Sequence, residues 1–376
     1  MQKKLIALAV AGLMSGAAFA QTSVTLGGKF DACYEFSRGE RGSSTKETQK
    51  DGCNSTSRVS IGARETIAKG YSIRVDYDIR FAGNNVHEGK TGLASNDKKA
   101  MAFTTPFGTL QWGVANLMSN DYKLAEKPYM VTPKDTELVK YGLSQQRETS
   151  LTNRSTSYWS PVLSIGPWQG LVKGTFAFGD NQKSGANDAA GVNAANVMVL
   201  GTEGKLFDGI ADYGIDVTQR GATSSEGGAS GGAFVYNHYY VNVRPIPGNK
   251  NLKLSAQYNT YKGWEGANGA ATGAMTSFKE KNTNFVVSYN FNGKAEVGLG
   301  VSHMNEVGTN RNNGRGIMLG GSYFLSKSVQ VYGGFAKNDV KTTTKVYRYD
   351  GTASGFNATR DYADGRVVKV GILKEF

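Results

Sequence analysis

One stretch, residues 70–81 (GYSIRVDYDIRF), restricts what this chain can fold into more than any other. Tyr71, Ile73, Val75, Tyr77, Ile79 and Phe81 fall on one parity; Ser72, Arg74, Asp76, Asp78 and Arg80 fall on the other. A strand sends successive side chains to opposite faces, so the segment has one wholly apolar face and one face with four charges. A helix would scatter both sets around its circumference. A sandwich core would not set four charges on one face and large aromatics at both ends of the other. The pattern suits a wall between lipid and water.

The alternation recurs along the chain. It predicts strands at 24–36, 58–65, 70–81, 99–105, 109–114, 154–160, 168–179, 196–205, 210–218, 234–244, 252–261, 283–291, 295–303, 316–325, 329–335 and 366–376. Short turns join alternate pairs, among them Asn292-Gly293, a strong hairpin signal. Long polar segments join the others: 37–57 after the first strand, a glycine-rich run at 221–232, and 116–151, the longest interior stretch without alternation. About sixteen strands, short turns on one side and long loops on the other make an all-β antiparallel transmembrane barrel. In lipid only a closed sheet satisfies every backbone group, so the first and last strands must pair. No domain boundary interrupts the barrel.

The chain opens with MQKK, an apolar run over 5–14, and a segment ending Ala18-Phe19-Ala20. These are the three parts of a secretory signal, with cleavage expected after Ala20 and a mature barrel over 21–376. The apolar run is short for a membrane anchor, the competing reading. Hydrophobic residues are 39%, below the roughly 45–50% of soluble domains. Glycine numbers 49, tyrosine 19 and phenylalanine 17, so few aliphatic side chains are left to fill an ordinary core. The formal net charge is +12, or about +10 without the leader. An exported chain with no basic helix points to a positive field in or around a channel rather than to nucleic acid.

The two cysteines, Cys33 and Cys53, form a disulfide candidate, since an exported chain meets an oxidising compartment. The bridge would close a loop of about 20 residues, worth ~3 kcal/mol in the chain-entropy model. A free pair is the alternative, and two cysteines alone do not make a metal site.

Several pieces, in order, resemble the trimeric general porins of Gram-negative bacteria, of the beta-proteobacterial and Neisserial type. They are SVTLGGKFDACYEF, SRVSIGARETIAKGYSIRVDYDIRF, FTTPFGTLQWG, NRSTSYWSP and the terminal VVKVGILKEF. The resemblance covers most of the chain. It implies an outer-membrane homotrimer in contact with lipid and lipopolysaccharide. It implies a third outer loop folded into the lumen, a role that position and length give to residues 116–151. It also makes Phe376 the signal read by the barrel-assembly machinery. Two departures stand out. Gly113-Val114 replaces the family's Gly-Arg pair, and Arg154 stands where asparagine is common, with two alternations open for its strand: Trp159 outward puts Arg154 in the lumen, Tyr158 outward does not.

The expected pore constriction combines wall and loop charges. Parity sends Arg58, Arg64, Arg74 and Arg80 inward from adjacent strands, together with Asp76 and Asp78. Guanidinium groups are always charged and weakly hydrated, so a ladder of them attracts an anion without trapping it. The competing reading pairs them with Asp76, Asp78 and Glu65 as plain solvated wall. Asp121, Lys123, Glu126 and Lys127 are the opposing loop charges. The outward aromatics Tyr34, Phe36, Tyr71, Phe81, Trp168, Phe291, Tyr323 and Phe376 form an interfacial girdle. No HExxH, GxSxG or serine–histidine context surrounds His87, His238 or His303, so neither catalysis nor a cofactor or metal is expected. The expected function is passive diffusion of small hydrophilic solutes with a preference for anions. A channel selective for organic acids or other small anions is the alternative, and a surface receptor or adhesin a weaker one.

Overall fold

The computed structural model describes residues 21–41, 44–51, 57–81, 93–94, 99–116, 151–177, 197–220, 234–244, 246, 248–265, 276–308, 313–341, 348–349, 356–357 and 365–376. The expected leader over 1–20 lies outside the described residues.

Twenty-one strands occur in order: β1 (Gln21–Arg41), β2 (Ser44–Asp51), β3 (Arg58–Ala68), β4 (Tyr71–Phe81), β5 (Leu93–Ala94), β6 (Lys99–Thr105) and β7 (Gly108–Asn116). There follow β8 (Leu151–Trp159), β9 (Leu163–Ile165), β10 (Trp168–Ala177), β11 (Val197–Leu206), β12 (Ala211–Arg220), β13 (Phe234–Val243) and β14 (Leu252–Glu265). The last are β15 (Thr276–Phe291), β16 (Ala295–Gly308), β17 (Asn313–Ser326), β18 (Val329–Lys341), β19 (Arg348–Tyr349), β20 (Phe356–Asn357) and β21 (Gly365–Glu375). Sixteen of these make an antiparallel cycle, because β21 pairs with both β18 and β1, and β1 pairs with β3. The remaining five are short additions: β2 folds back on β1, β5 adds to β4, β9 adds to β10, and β19 pairs with β20.

Closure is chemically pinned. Gly28 and Phe376 exchange backbone hydrogen bonds of 2.9 and 3.1 Å, and the Phe376 ring lies where a side chain on residue 28 would stand. Inside the same seam the Tyr332 hydroxyl donates to Asp31 Oδ1 at 2.7 Å, and the Asp31 amide donates to Ser57 Oγ at 2.9 Å. Cys33, buried beside Tyr332 and Leu373, is disulfide-bonded. Its expected partner Cys53 lies outside the described residues.

The outer face is apolar and open to the surroundings. Tyr71, Val75 and Tyr77 of β4 are exposed, while Ser72 is buried on the inner face. Tyr34, Phe36, Phe291, Tyr323 and Phe376 are exposed aromatics at strand ends, Trp168 is half-buried, and the Phe81 side chain lies outside the description. The turns follow their residues. Asn292 and Gly293 both have positive φ, at 53° and 76°, as a two-residue turn matching strand twist requires.

Several strands run well past the ends read from the sequence. β1 continues to Arg41 and pairs with β2 inside the segment expected to be a loop. β15 starts at Thr276, β16 reaches Gly308, and β18 reaches Lys341. Apolar alternation marks only the lipid-facing part of a strand; backbone pairing continues past it, where the outward side chains become polar.

Candidate functional site

Two walls of the lumen carry the charge, and they are built differently. The first is β3 and β4. Register sets Arg58 opposite Arg80 and Arg64 opposite Arg74, so like charges face each other across the strand pair. Such opposed pairs destabilise a sheet unless acids intervene. Asp78 and Asp76 do so: Arg58 Nη1 lies 3.7 Å from Asp78 Oδ2, and Arg74 Nε lies 2.8 Å from Asp76 Oδ2. In each pair the arginine is the more exposed partner, 38% against 13% and 29% against 20%. Within that exposure the Arg74 guanidinium still has its Nε and Nη2 buried in the wall. Arg64 is exposed and its Nη2 lies 3.5 Å from Ser72 Oγ. Glu65, the third acid expected to pair here, stands opposite Ile73 on the outward parity.

The second wall is β10 to β13, and sequence reading missed its arrangement. Lys173 of β10 donates to Glu203 Oε2 of β11 at 3.1 Å, and its Nζ lies 2.9 Å from Asp216 Oδ1 of β12. His238 Nδ1 of β13 lies 3.7 Å from Asp216 Oδ2, and its ring sits between those of Tyr236 and Tyr240. All four charged or titratable residues are buried. Lys173 reaches across β11 because residue 201, opposite both Lys173 and Asp216, is glycine. A Cβ there would strike the Asp216 carboxylate and come within 3.0 Å of the Lys173 chain. Further ion pairs continue around the inner face, Arg244 Nη2 to Asp212 Oδ2 at 3.4 Å and Lys253 Nζ to Glu296 Oε2 at 2.9 Å. The signal available in the sequence was charge on the parity opposite Val172, Ile215 and Tyr239, together with Gly201.

Of the sequence-predicted residues, the fold brings Arg58, Arg64, Arg74, Asp76 and Asp78 together on one wall. Arg80 takes its register place opposite Arg58, but its side chain lies outside the description. Asp121, Lys123, Glu126 and Lys127 lie outside the described residues, as does most of the segment that carries them. In β8, Tyr158 is exposed and Trp159 buried, which sets the outward parity over 155–159; the β7–β8 ladder is irregular where Arg154 falls, and its side chain lies outside the description. Gly113, next to Val114 where the wall arginine is absent, has φ +122° and begins an irregularity in the β7–β8 ladder. A Cβ at this position would strike the Lys99 carbonyl, so the glycine is fixed by a close backbone approach.

A family model described as Gram-negative porin matches residues 7–343. No curated protein matches the chain. Among solved structures the chain is similar to the anion-selective porin from Comamonas acidovorans, with 16% identity and a TM-score of 0.66 over 95% of this chain and 100% of that one. It is also similar to the in-vitro folded, trimer form of OmpT from Vibrio cholerae, with 13% identity and a TM-score of 0.62 over 94% and 99%. The outer membrane channel DcaP of Acinetobacter baumannii gives 12% identity and a TM-score of 0.62 over 94% and 97%. At these identities the structural likeness is one of fold. The family match spans most of the sequence, and a closed sixteen-stranded barrel with a charged inner face is what it requires: this chain belongs to the Gram-negative porin family.

Proposed function

We propose that this outer-membrane porin passes small hydrophilic solutes by diffusion through a water-filled pore and favours anions. Family membership supports a channel rather than an enzyme. The observation that carries the preference is the exposure order on the β3–β4 wall, where the side chains of Arg58 and Arg74 are more exposed than those of Asp78 and Asp76. A passing solute meets more of the Arg58 side chain than of Asp78. The surplus of base over acid in the whole chain acts in the same sense, as does the likeness to a porin whose name declares it anion-selective. The functional unit is a homotrimer, a reading supported by the likeness to a trimeric relative. The leader is removed after Ala20, and residues 116–151 fold into the lumen, with Lys123, Lys127, Asp121 and Glu126 facing the wall arginines across the constriction. Phe376, seated on Gly28 at the closing seam, serves as the assembly signal, and Cys33 pairs with Cys53.

The test is the reversal potential of the full chain in planar bilayers across a salt gradient. Arg58→Ala and Arg74→Ala each lower the anion/cation permeability ratio, more at low salt than at high, because the Debye length is ~10 Å at 0.1 M and ~3 Å at 1 M. Lys46→Ala, far from the lumen wall in sequence terms, changes it little. Parent-like reversal potentials in both arginine variants would remove the wall mechanism.

A further inference from the structure

The middle of the wall that faces the arginines is neutral. In the sixteen-strand cycle, β13 and β14 stand half a circuit from β3 and β4, so the two strand pairs look at each other across the lumen. Register brings Asn242 beside Ser255, Gln257 beside Asn284 and Asn259 beside Asn282. All six are buried, and they lie on the parity opposite the exposed Val241, Leu254, Tyr258 and Phe285, so they face inward. The charges bordering this patch are paired: Arg244 with Asp212, Lys253 with Glu296, and Lys173 with Asp216. What remains is a surface of amides and hydroxyls.

Four side chains here and on the β12 border have an atom with no hydrogen-bond partner among the described residues: Ser255 Oγ, Gln257 Oε1, His238 Nε2 and Thr218 Oγ1. Each of these residues is more than nine-tenths buried. Burying a polar atom without a partner is costly, and a native fold carries few such atoms, so four on one wall call for a ligand. Their chemistry narrows what that ligand is. Gln257 Oε1 accepts a hydrogen bond, and so does His238 Nε2 in the neutral ring whose Nδ1–H is turned toward Asp216. The Ser255 and Thr218 hydroxyls both accept and donate. An anion meets mostly acceptors here. A solute hydroxyl donates to one of these atoms and accepts from the next, and it brings no charge to desolvate.

We propose that the inner face of β12 to β14 is a subsite for neutral polyhydroxyl solutes of the sugar class, held by Thr218, His238, Ser255 and Gln257. The inference rests on the pore reading above and adds that one class of solute is retained on its way through. Sites built to hydrogen-bond a hydroxyl discriminate strongly against an analogue that lacks it, because their polar groups are then left unpaired. The arginines act on charged solutes from one side of the lumen, and the amide wall acts on neutral ones from the other. The two preferences are therefore separable by mutation.

The test measures ion conductance of the full chain in planar bilayers as sucrose is added. The comparison is polyethylene glycol of the same hydrodynamic radius, which lacks hydroxyl donors along its chain. The expected result is a saturable fall with sucrose and a non-saturating one with the glycol. In Gln257→Leu/Ser255→Ala the half-saturating concentration rises about tenfold, the loss of two hydrogen bonds. It is unchanged in Thr283→Val, on the outer face of the same sheet region, and in Arg58→Ala, which moves the reversal potential alone. A fall in the parent that stays proportional to sucrose, as viscosity alone dictates, overturns the proposal. So does a Gln257→Leu/Ser255→Ala variant that saturates like the parent, or an equal shift in Arg58→Ala, which would place the block at the constriction. Equal block by ethylammonium at the same concentration would make the acceptors a cation site and also overturn it. If the double variant does not fold, the near-isosteric Thr218→Val makes the same comparison with one hydrogen bond removed. Equilibrium dialysis of radiolabelled sucrose against the detergent-solubilised protein reads the subsite without conduction, with the same shift expected in the same variants. A barrel that binds sucrose but does not conduct would sink the pore reading alone, and one that conducts without binding would sink this one.

Discussion

The β3–β4 wall and the β10–β13 wall both carry mixed charge facing inward, and they use it oppositely. On the first, the arginine of each pair is the more exposed partner. On the second, buried Lys173 pairs with both Glu203 and Asp216, with His238 and two tyrosine rings closing the side. Exposed pairs contribute little to stability, with a median of about 0–1 kcal/mol, but they set the potential that a solute meets. Buried pairs set almost no potential outside themselves. Breaking one, however, leaves a charge without water or partner, at a cost of about 3–5 kcal/mol. The same residue types are therefore a selectivity device on one side of the barrel and a structural brace on the other.

The largest expected effect follows on the braced side. Lys173→Met removes the cation that lies against both Glu203 and Asp216 and is expected to destabilise the barrel by about 3–5 kcal/mol. The guanidinium-unfolding midpoint, followed by tryptophan fluorescence, measures it. The triple change Lys173→Met/Glu203→Gln/Asp216→Asn removes all three charges and is expected to recover most of the loss. A single variant as stable as the parent would mean that water reaches the cluster. A reversal potential that moves as far as in the arginine variants would erase the distinction between the walls.

Gly201→Ala probes the same brace through space rather than charge. The added methyl meets the Asp216 carboxylate and lies 2.8 Å from the Ile215 carbonyl, so Lys173 can no longer cross β11 unhindered. Overpacking of this kind costs about 1–3 kcal/mol, less than removing the cation, because Lys173 keeps Glu203. The corresponding glycine on the arginine wall, Gly62, has only ordinary contacts, its nearest being Asp76 Oδ1 at 3.7 Å. Gly62→Ala is expected to leave the midpoint within about 0.5 kcal/mol of the parent. Equal losses at the two glycines would show that crowding at residue 201 is not what matters.

The contrast between the walls also explains what was legible in the sequence. Arg74, Asp76, Asp78 and Arg80 alternate within one strand, and Arg58 and Arg64 lie on its hairpin neighbour. Parity alone therefore places this wall. The sixteen barrel strands are legible for the same reason, since apolar alternation is local. Their ends are not legible, because beyond the apolar band a paired strand and a polar loop share a composition, as 37–51 shows. The brace is built from one residue on each of four strands, and only the register of β10, β11, β12 and β13 brings them together. Asp31 and Tyr332 in the seam are 301 residues apart and equally invisible. Gly201 reads as one glycine among 49 until the register shows what it stands between.

The smallest effect on stability, and the most direct on function, is expected from the acids of the arginine wall. Asp76→Asn/Asp78→Asn keeps the shape of both side chains and removes two negative charges. On the braced wall, loss of a partner strands a buried charge. Here Arg58 and Arg74 are part-exposed, and water replaces the lost carboxylate. The unfolding midpoint is therefore expected to shift by less than about 1 kcal/mol. The arginines now act without an opposing charge a few ångström away, so the anion/cation permeability ratio rises. It rises more at 0.1 M salt than at 1 M, where the Debye length of ~3 Å screens them from the passing ion. The direction is opposite to that of Arg58→Ala and Arg74→Ala, which rules out a general loosening of the wall as the common cause. An unchanged ratio, or one that falls, would show that the two acids do not temper the arginines, and the exposure order would lose its meaning for selectivity. A stability loss as large as that of Lys173→Met would instead make this wall a second brace.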